Sequence, residues 1–282
     1  MVKRMLPGMV VIGVALVTYY VLIINRYAIG DWYFLRTYTP PAQVAQLASQ
    51  ADLTPTGRRL FYRANPQIVT TRAAMVRHCN ISDNQVAELG CYLSTEHIYL
   101  LEVSEPALHN EMAVTAAYEM LHSVYQRMGA GERARVDAEM APVATHITDP
   151  NILSQLQIYA KTEPGEQNDE LYSVLGTEYP TIPSDLASNY SHYLGDRAQL
   201  VGYHSQFEQA FDGLQNQITQ LGSQIAQTRA GMQHLLAIGD VEQYNAMVAG
   251  VNTQITQYNN EVNEYNRYGQ DILGTESGSQ EQ

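Results

Sequence analysis

AVTAAYEMLHSVYQRM, residues 113–128, is the stretch on which the reading of this chain turns. Alanine, leucine, methionine and glutamate favour helix, and the apolar residues recur at helical spacing. The segment therefore reads as an amphipathic helix over about 110–128, stopped by Gly129-Ala130-Gly131. Residues four apart share a helix face, which brings Tyr118, Glu119 and His122 to one side. Any helix can hold a glutamate and a histidine three apart, and a histidine on an apolar face is ordinarily a hydrogen-bonded core residue. The surroundings have to give the trio its meaning.

Upstream, HIYLLEV (97–103) carries a strand signal, and a weaker one lies at 68–71. Ser104-Glu105-Pro106 breaks the chain before the helix. Downstream, helices are predicted over roughly 132–146, 152–160, 170–176 and 184–194, with a loop at Thr162-Glu163-Pro164-Gly165. Cys79 and Cys91, the only two cysteines, flank the loop-like NISDNQVAELG. Oxidised, a loop of this size is worth on the order of 3 kcal/mol. An even count suits an oxidising compartment, and two buried free thiols are the alternative.

The two ends differ in kind. Leu6 to Ile24 (LPGMVVIGVALVTYYVLII) is 19 residues without a charge. As a helix it spans roughly 28 Å, about the hydrocarbon thickness of a bilayer. Lys3 and Arg4 precede it, Asn25 and Arg26 close it, and Tyr27, Trp32, Tyr33 and Phe34 follow as an interfacial belt. A cleaved signal peptide is the rival reading, with Ala28-Ile29-Gly30 as its site, but the apolar run exceeds the roughly 7–15 residues of a signal core. Arg26 and Arg36, offset by Asp31, nearly balance Lys3 and Arg4, so the cysteine pair is what points the main domain outward. Residues 37–50 (TYTPPAQVAQLASQ) read as a linker or short helix. At the C-terminus Phe207, Phe211, Leu214, Ile218, Leu221, Ile225, Thr228, Met232 and Leu235 alternate spacings of four and three, with His204 on the same stripe. After Ile238-Gly239-Asp240 the pattern resumes from Val241 to Tyr265, which predicts an antiparallel coiled-coil hairpin. The tail, 273–282, has the composition of a disordered segment.

Composition narrows the classes further. Hydrophobic residues make up 45%, enough for a core, and the formal charge of −13 argues against nucleic acid. Arg58, Arg59, Arg63, Arg72 and Arg77 form the one basic stretch, read as solvated surface that balances acidic parts of the same protein, with anionic lipid headgroups as the alternative. No Gly-rich phosphate loop follows a strand, no G-x-S-x-G elbow occurs, and the cysteines are not C-x-x-C.

Had residue 118 been histidine, the helix would carry HExxH, in which two imidazoles at i and i+4 bind one zinc and the glutamate activates its water. Together with LTPTGRRLFYRANP, ELGCY, HIYLLEV and ELYSVLGTEYPTIPSDLASNYSHYLGDR, the segment AYEMLHSVYQRM resembles a group of membrane-anchored bacterial proteins related to HExxH (zincin-type) zinc metallopeptidases. That resemblance covers most of the chain. It implies Glu119 as general base, His122 as a zinc ligand and Glu178 as the third ligand, with Glu170 the alternative carboxylate. Tyr118 departs from the pattern at the first ligand, and Tyr172 stands where relatives are expected to carry histidine. His109, His146, His192 and His204 are candidate substitutes, none singled out by spacing.

The resulting expectation is an α+β, mainly helical chain. An anchor and juxtamembrane segment (1–36) and a linker (37–50) lead to a zincin-like domain with a small sheet (51–198). A helical hairpin (199–272) and the tail (273–282) follow. Functionally it reads as a single-pass pseudo-peptidase of the bacterial cytoplasmic membrane, its main domain extracytoplasmic. It would bind peptide or envelope material in its cleft and a partner or a second copy through 204–265. An active zinc endopeptidase with an unusual ligand set and a structural coiled-coil envelope protein are the alternatives.

Overall fold

A computed structural model describes residues 6–24, 26–79, 89–162 and 164–273. The tail from 274 and the loop 80–88 lie outside the described residues. Helix α1 (Leu6–Ile24) is followed by α2 (Arg26–Leu35), α3 (Ala42–Gln50) and α4 (Pro55–Arg63). Strand β1 (Gln67–Val69), α5 (Arg72–Cys79), β2 (Gly90–Leu93) and β3 (His97–Leu101) come next. Seven helices complete the described chain: α6 (Glu111–Arg127), α7 (Ala130–Ala144), α8 (Pro150–Thr162), α9 (Gln167–Thr177), α10 (Ser184–Tyr190), α11 (Arg197–Ile238) and α12 (Val241–Leu273). The molecule is mainly helical with one small sheet.

Helix α6 is the axis of the fold. Every residue from Glu111 to Tyr125 is buried, so the helix is enclosed on all sides rather than amphipathic. Ala113, Ala116 and Ala117 keep its girth small enough for neighbours to approach on several faces. Helices α3, α4, α9 and α11 and the sheet all pack against it. Of the two readings of 37–50, linker or short helix, the structure has the helix: α3 buries Val44, Leu47 and Ala48 in the common core. Three apolar residues on one face of a nine-residue helix suffice for docking, and a polar, Ala-rich composition conceals them.

The sheet has the order β1-β3-β2, with β1 parallel and β2 antiparallel to β3. HIYLL is therefore the central strand, and β1 and β2 are the two edges. Gly90 of β2 meets α6 so closely that a Cβ there would lie 2.7 Å from Glu119 Oε1 and 2.5 Å from Thr115 Cγ2. Cys79, ending α5, is bonded to Cys91 of β2, which ties that edge to the helix before it.

Helices α6 and α9 pack closely along their length, and Gly176 allows it. A Cβ at Gly176 would come within 2.3 Å of Leu121 Cδ1 and 2.9 Å of Tyr190 Cε1, all in fully packed surroundings. Overpacking of this kind costs about 1–3 kcal/mol. Gly176→Ala is expected to lower the denaturant midpoint by that amount without changing the slope; an unchanged midpoint would show that α9 can slide freely on α6.

Helices α11 and α12 run antiparallel about the turn at Gly239–Asp240: Phe211 meets Tyr265 and Tyr268, and Thr228 bonds Gln254. Far from the domain they have their own small core of Ile225, Met232 and Val251. Near it, Leu200, Leu214, Tyr268 and Ile272 belong to the main core, so this end of the pair is built into the domain.

The backbone of α1 is one continuous helix, and Val14 to Ile23 include eight large, exposed apolar side chains. The side chains of residues 6–13 and 24 lie outside those described, and among the described residues no helix is long and apolar enough to cross a membrane. Arg63 of the basic stretch balances acidic residues of the same protein: it pairs with Asp31 of α2 at 3.3 Å and Glu96 at 2.5 Å. Arg127 reaches the same two carboxylates at 3.0 and 2.5 Å.

Candidate functional site

Tyr118, Glu119 and His122 project from the middle of α6 towards β2 and the first turn of α9. The acidic pair Asp169–Glu170 opens that turn, where the positive end of the helix dipole favours carboxylates. Tyr118 donates its phenol proton to Glu170 Oε2 at 2.6 Å. His122 Nδ1 lies 2.8 Å from Asp169 Oδ1, and its Nε2 lies 3.8 Å from Glu170 Oε1. Gln126 donates to the other oxygen of Asp169 at 3.3 Å. The Tyr118 and His122 rings meet edge-on, 5.1 Å apart. Glu119, 5% exposed, is roofed by Gly90.

Of the two candidate carboxylates it is thus Glu170 that reaches His122 and Tyr118. Glu178 caps the far end of α9 and turns to another group, Glu111 of α6 and His204 of α11. His204 Nδ1 lies 2.9 Å from Glu111 Oε1, and its Nε2 lies 4.0 Å from Glu178 Oε2. His204, expected on the coiled-coil stripe, sits instead where α11 enters the main core, and burial with an acidic partner outweighs its place in the heptad pattern. Tyr172 is fully buried and donates to Asn189 at 2.6 Å, away from the trio. His109 and His146 bond the backbone carbonyls of Val103 and Pro142 through Nδ1.

The electrostatics follow from burial. Desolvation, reinforced by Glu170, Tyr159 and Glu178, holds the Tyr118 phenol well above its ordinary value of 10.0, so it stays protonated. Burial alone would lower His122, but Glu170, Asp169 and Glu119 outweigh it and raise the imidazole to about 10. At neutral pH this is an imidazolium held between carboxylates. Such a set does not fit zinc: its first position is a proton-donating phenol, its histidine is charged, and Glu170 already accepts from Tyr118. Among the described residues no group of three or more His, Cys, Asp or Glu side chains is placed to hold a metal ion.

At the second cluster, burial lifts Glu178 to about 7, partly opposed by His204. His204 itself, though burial would lower it, is raised from 6.5 to about 9 by its bond to Glu111 and the charge of Glu178. A histidine whose folded pKa exceeds its unfolded one contributes stability that is complete below the unfolded value and lost as pH climbs through the folded one. The thermal midpoint is therefore expected to fall between pH 6.5 and about 9, and to fall less in His204→Gln. A flat midpoint over that range in the parent protein would contradict the assignment.

Two cavities flank the trio, and Tyr118 and Glu119 line both. The smaller, about 80 Å³, reaches His122, Asp169 and Glu170. The larger, about 440 Å³, opens between α6, α8, α11 and the end of α12. Sequence reasoning missed Asp169, Glu111 and this cavity. The acidic NDEL turn was a usable signal for the first, whereas Glu111 and His204 lie 93 positions apart and only folding unites them. No family model, curated protein or solved structure matches the chain.

Proposed function

We propose that this chain is a metal-free, non-hydrolytic relative of the zincin-type peptidases that serves as a binding module at the bacterial envelope. The observation that carries the reading is the 2.6 Å bond from Tyr118 to Glu170, beside an imidazolium at His122. Positions corresponding to two histidine ligands and a carboxylate satisfy one another, so the site needs no ion to be stable. Without a metal to activate water, Glu119 loses its role as general base, and the cavities beside it serve binding. Anchoring through Leu6–Ile24, with the domain outside the cytoplasmic membrane, accords with that uncharged helix and with the Cys79–Cys91 disulfide.

The test is the metal content of the full chain in detergent, supplied with zinc and then dialysed. The expected result is no retained zinc and no peptide hydrolysis. Stoichiometric zinc that His122→Ala abolishes would replace this reading with an active endopeptidase.

A structural reading, with the long hairpin as the working part, is favoured by Leu236, Ile238 and Val241, which expose 50–62% of their surface at its tip. It predicts that polar substitutions at Leu214, Ile218 and Leu221 abolish assembly, while substitutions at Glu119 and His122 do not.

A further inference from the structure

The larger cavity has a chemistry of its own. Five carboxylates line it, Glu111, Glu119, Glu178, Glu208 and Asp212, against a single basic side chain, His204. Between them the walls are apolar: Val114 of α6, Ile158 of α8, Phe207 and Phe211 of α11, and Ile272 of α12. Glu111 and Glu178 form the floor, 6% and 9% exposed. Each also has an oxygen, Oε2, that is buried and without a hydrogen-bond partner among the described residues. Buried carboxylate oxygens are ordinarily bonded, because leaving one unsatisfied costs about 1–3 kcal/mol or more. His204 and Gln155 account for only part of the demand: His204 bonds Glu111 Oε1 and stands 4.0 Å from Glu178, and Gln155 bonds the Glu178 carboxylate. The exposed residues Asn151, Ser154 and Asp212 lie around the opening.

We propose that this cavity binds a ligand carrying an alkylammonium or guanidinium group on an apolar stem. Glu111 and Glu178 receive the cation, and Phe207 and Phe211 pack along the stem. The volume, about 440 Å³, suits one such group with its neighbouring atoms. Aromatic faces beside a cation add attraction, and a chain of net charge −13 draws cations towards it. A bare divalent ion suits the site less well, since among the described residues no group of three or more His, Cys, Asp or Glu side chains converges as a ligand set. The proposal rests on the reading of the site as a binding module and names the class of ligand it takes. A lysine or arginine side chain of a peptide and a free diamine share that chemistry.

Calorimetric titration of the full chain in detergent separates them. The probes are cadaverine, a capped alanine peptide with one central lysine, and the same peptide with norleucine in place of lysine. Binding of the lysine peptide alone assigns a basic peptide side chain, and binding of cadaverine as well assigns any free amine; both outcomes support the proposal. The norleucine peptide is expected to bind at least about tenfold more weakly, since it leaves buried carboxylates unpaired. Glu111→Gln is expected to weaken the lysine peptide by a similar factor. Should that variant fail to fold, Glu208→Gln at the half-buried rim is expected to weaken it about two- to fivefold. Equal affinity for the norleucine and lysine peptides, or no binding of either cation, would overturn the proposal. Zinc retained by the parent chain would overturn the metal-free reading instead, and neither result decides the other.

Discussion

Tyr118→His is expected to convert a chain that retains no zinc after dialysis into one that retains about one equivalent. The substitution removes the phenol that donates to Glu170 at 2.6 Å and puts an imidazole one helical turn before His122. Two imidazoles four apart on a helix, with a carboxylate from a second helix, make the His2Glu set of catalytic zinc sites. Glu170 already faces His122 across 3.8 Å, and Asp169 holds Nδ1 at 2.8 Å, as a carboxylate behind a zinc-bound histidine does. His122 must lose its proton to bind, so uptake should strengthen as pH rises and should release protons. Tyr118→Phe is the control: it leaves Glu170 short of a donor, is expected to cost about 1–3 kcal/mol, and should take up no zinc. An empty Tyr118→His chain with a native melting profile would show that the likeness to HExxH does not extend to the geometry of the site.

Arg127→Ala is expected to destabilise the protein by about 3–5 kcal/mol, the cost of leaving a buried charge without its partner. Arg127 donates to both oxygens of Asp31, at 3.1 and 3.0 Å, and to Glu96 at 2.5 Å. Asp31 is 5% exposed and belongs to α2, so the loss falls on the contact that docks this helix onto the domain. Arg63 still reaches Asp31 at 3.3 Å, which places the expectation at the lower end of the range. Chemical denaturation reads the stability, and limited proteolysis within residues 26–41 should accelerate. A loss below about 1 kcal/mol would mean that the network behaves as an exposed one.

Local signals carried much of the architecture. The helical period of 113–128 placed α6 to within a residue or two, and HIYLLEV placed β3. The four-three spacing after His204 placed α11 and α12 with their turn at Gly239–Asp240. These succeed because a helix or hairpin writes its period into neighbouring residues. Strand β2 escaped because four residues, one of them a glycine packed onto Glu119, carry no alternation to read. The docking of α3 escaped, though a short helix there was one of the two readings, because its buried face is only three residues.

The trio Tyr118, Glu119 and His122 was legible for the same reason, since a helix fixes which residues share a face. Their partners were not. Choosing between Glu170 and Glu178 required knowing which end of α9 lies against His122. That is decided by the close approach at Gly176 and by the bonds to Asp169 and Glu170. The union of Glu111, Glu178 and His204 around an acidic cavity depended on how α11 enters the core. By itself the sequence determined a mainly helical chain, an uncharged N-terminal helix, a long C-terminal pair and a helix face carrying Tyr118, Glu119 and His122. The tertiary structure alone decided which carboxylates face that trio and which buried carboxylate oxygens lack a partner among the described residues. Periodicity is a property of neighbours in the chain, whereas the pairing of buried charges is set by packing between segments far apart in it.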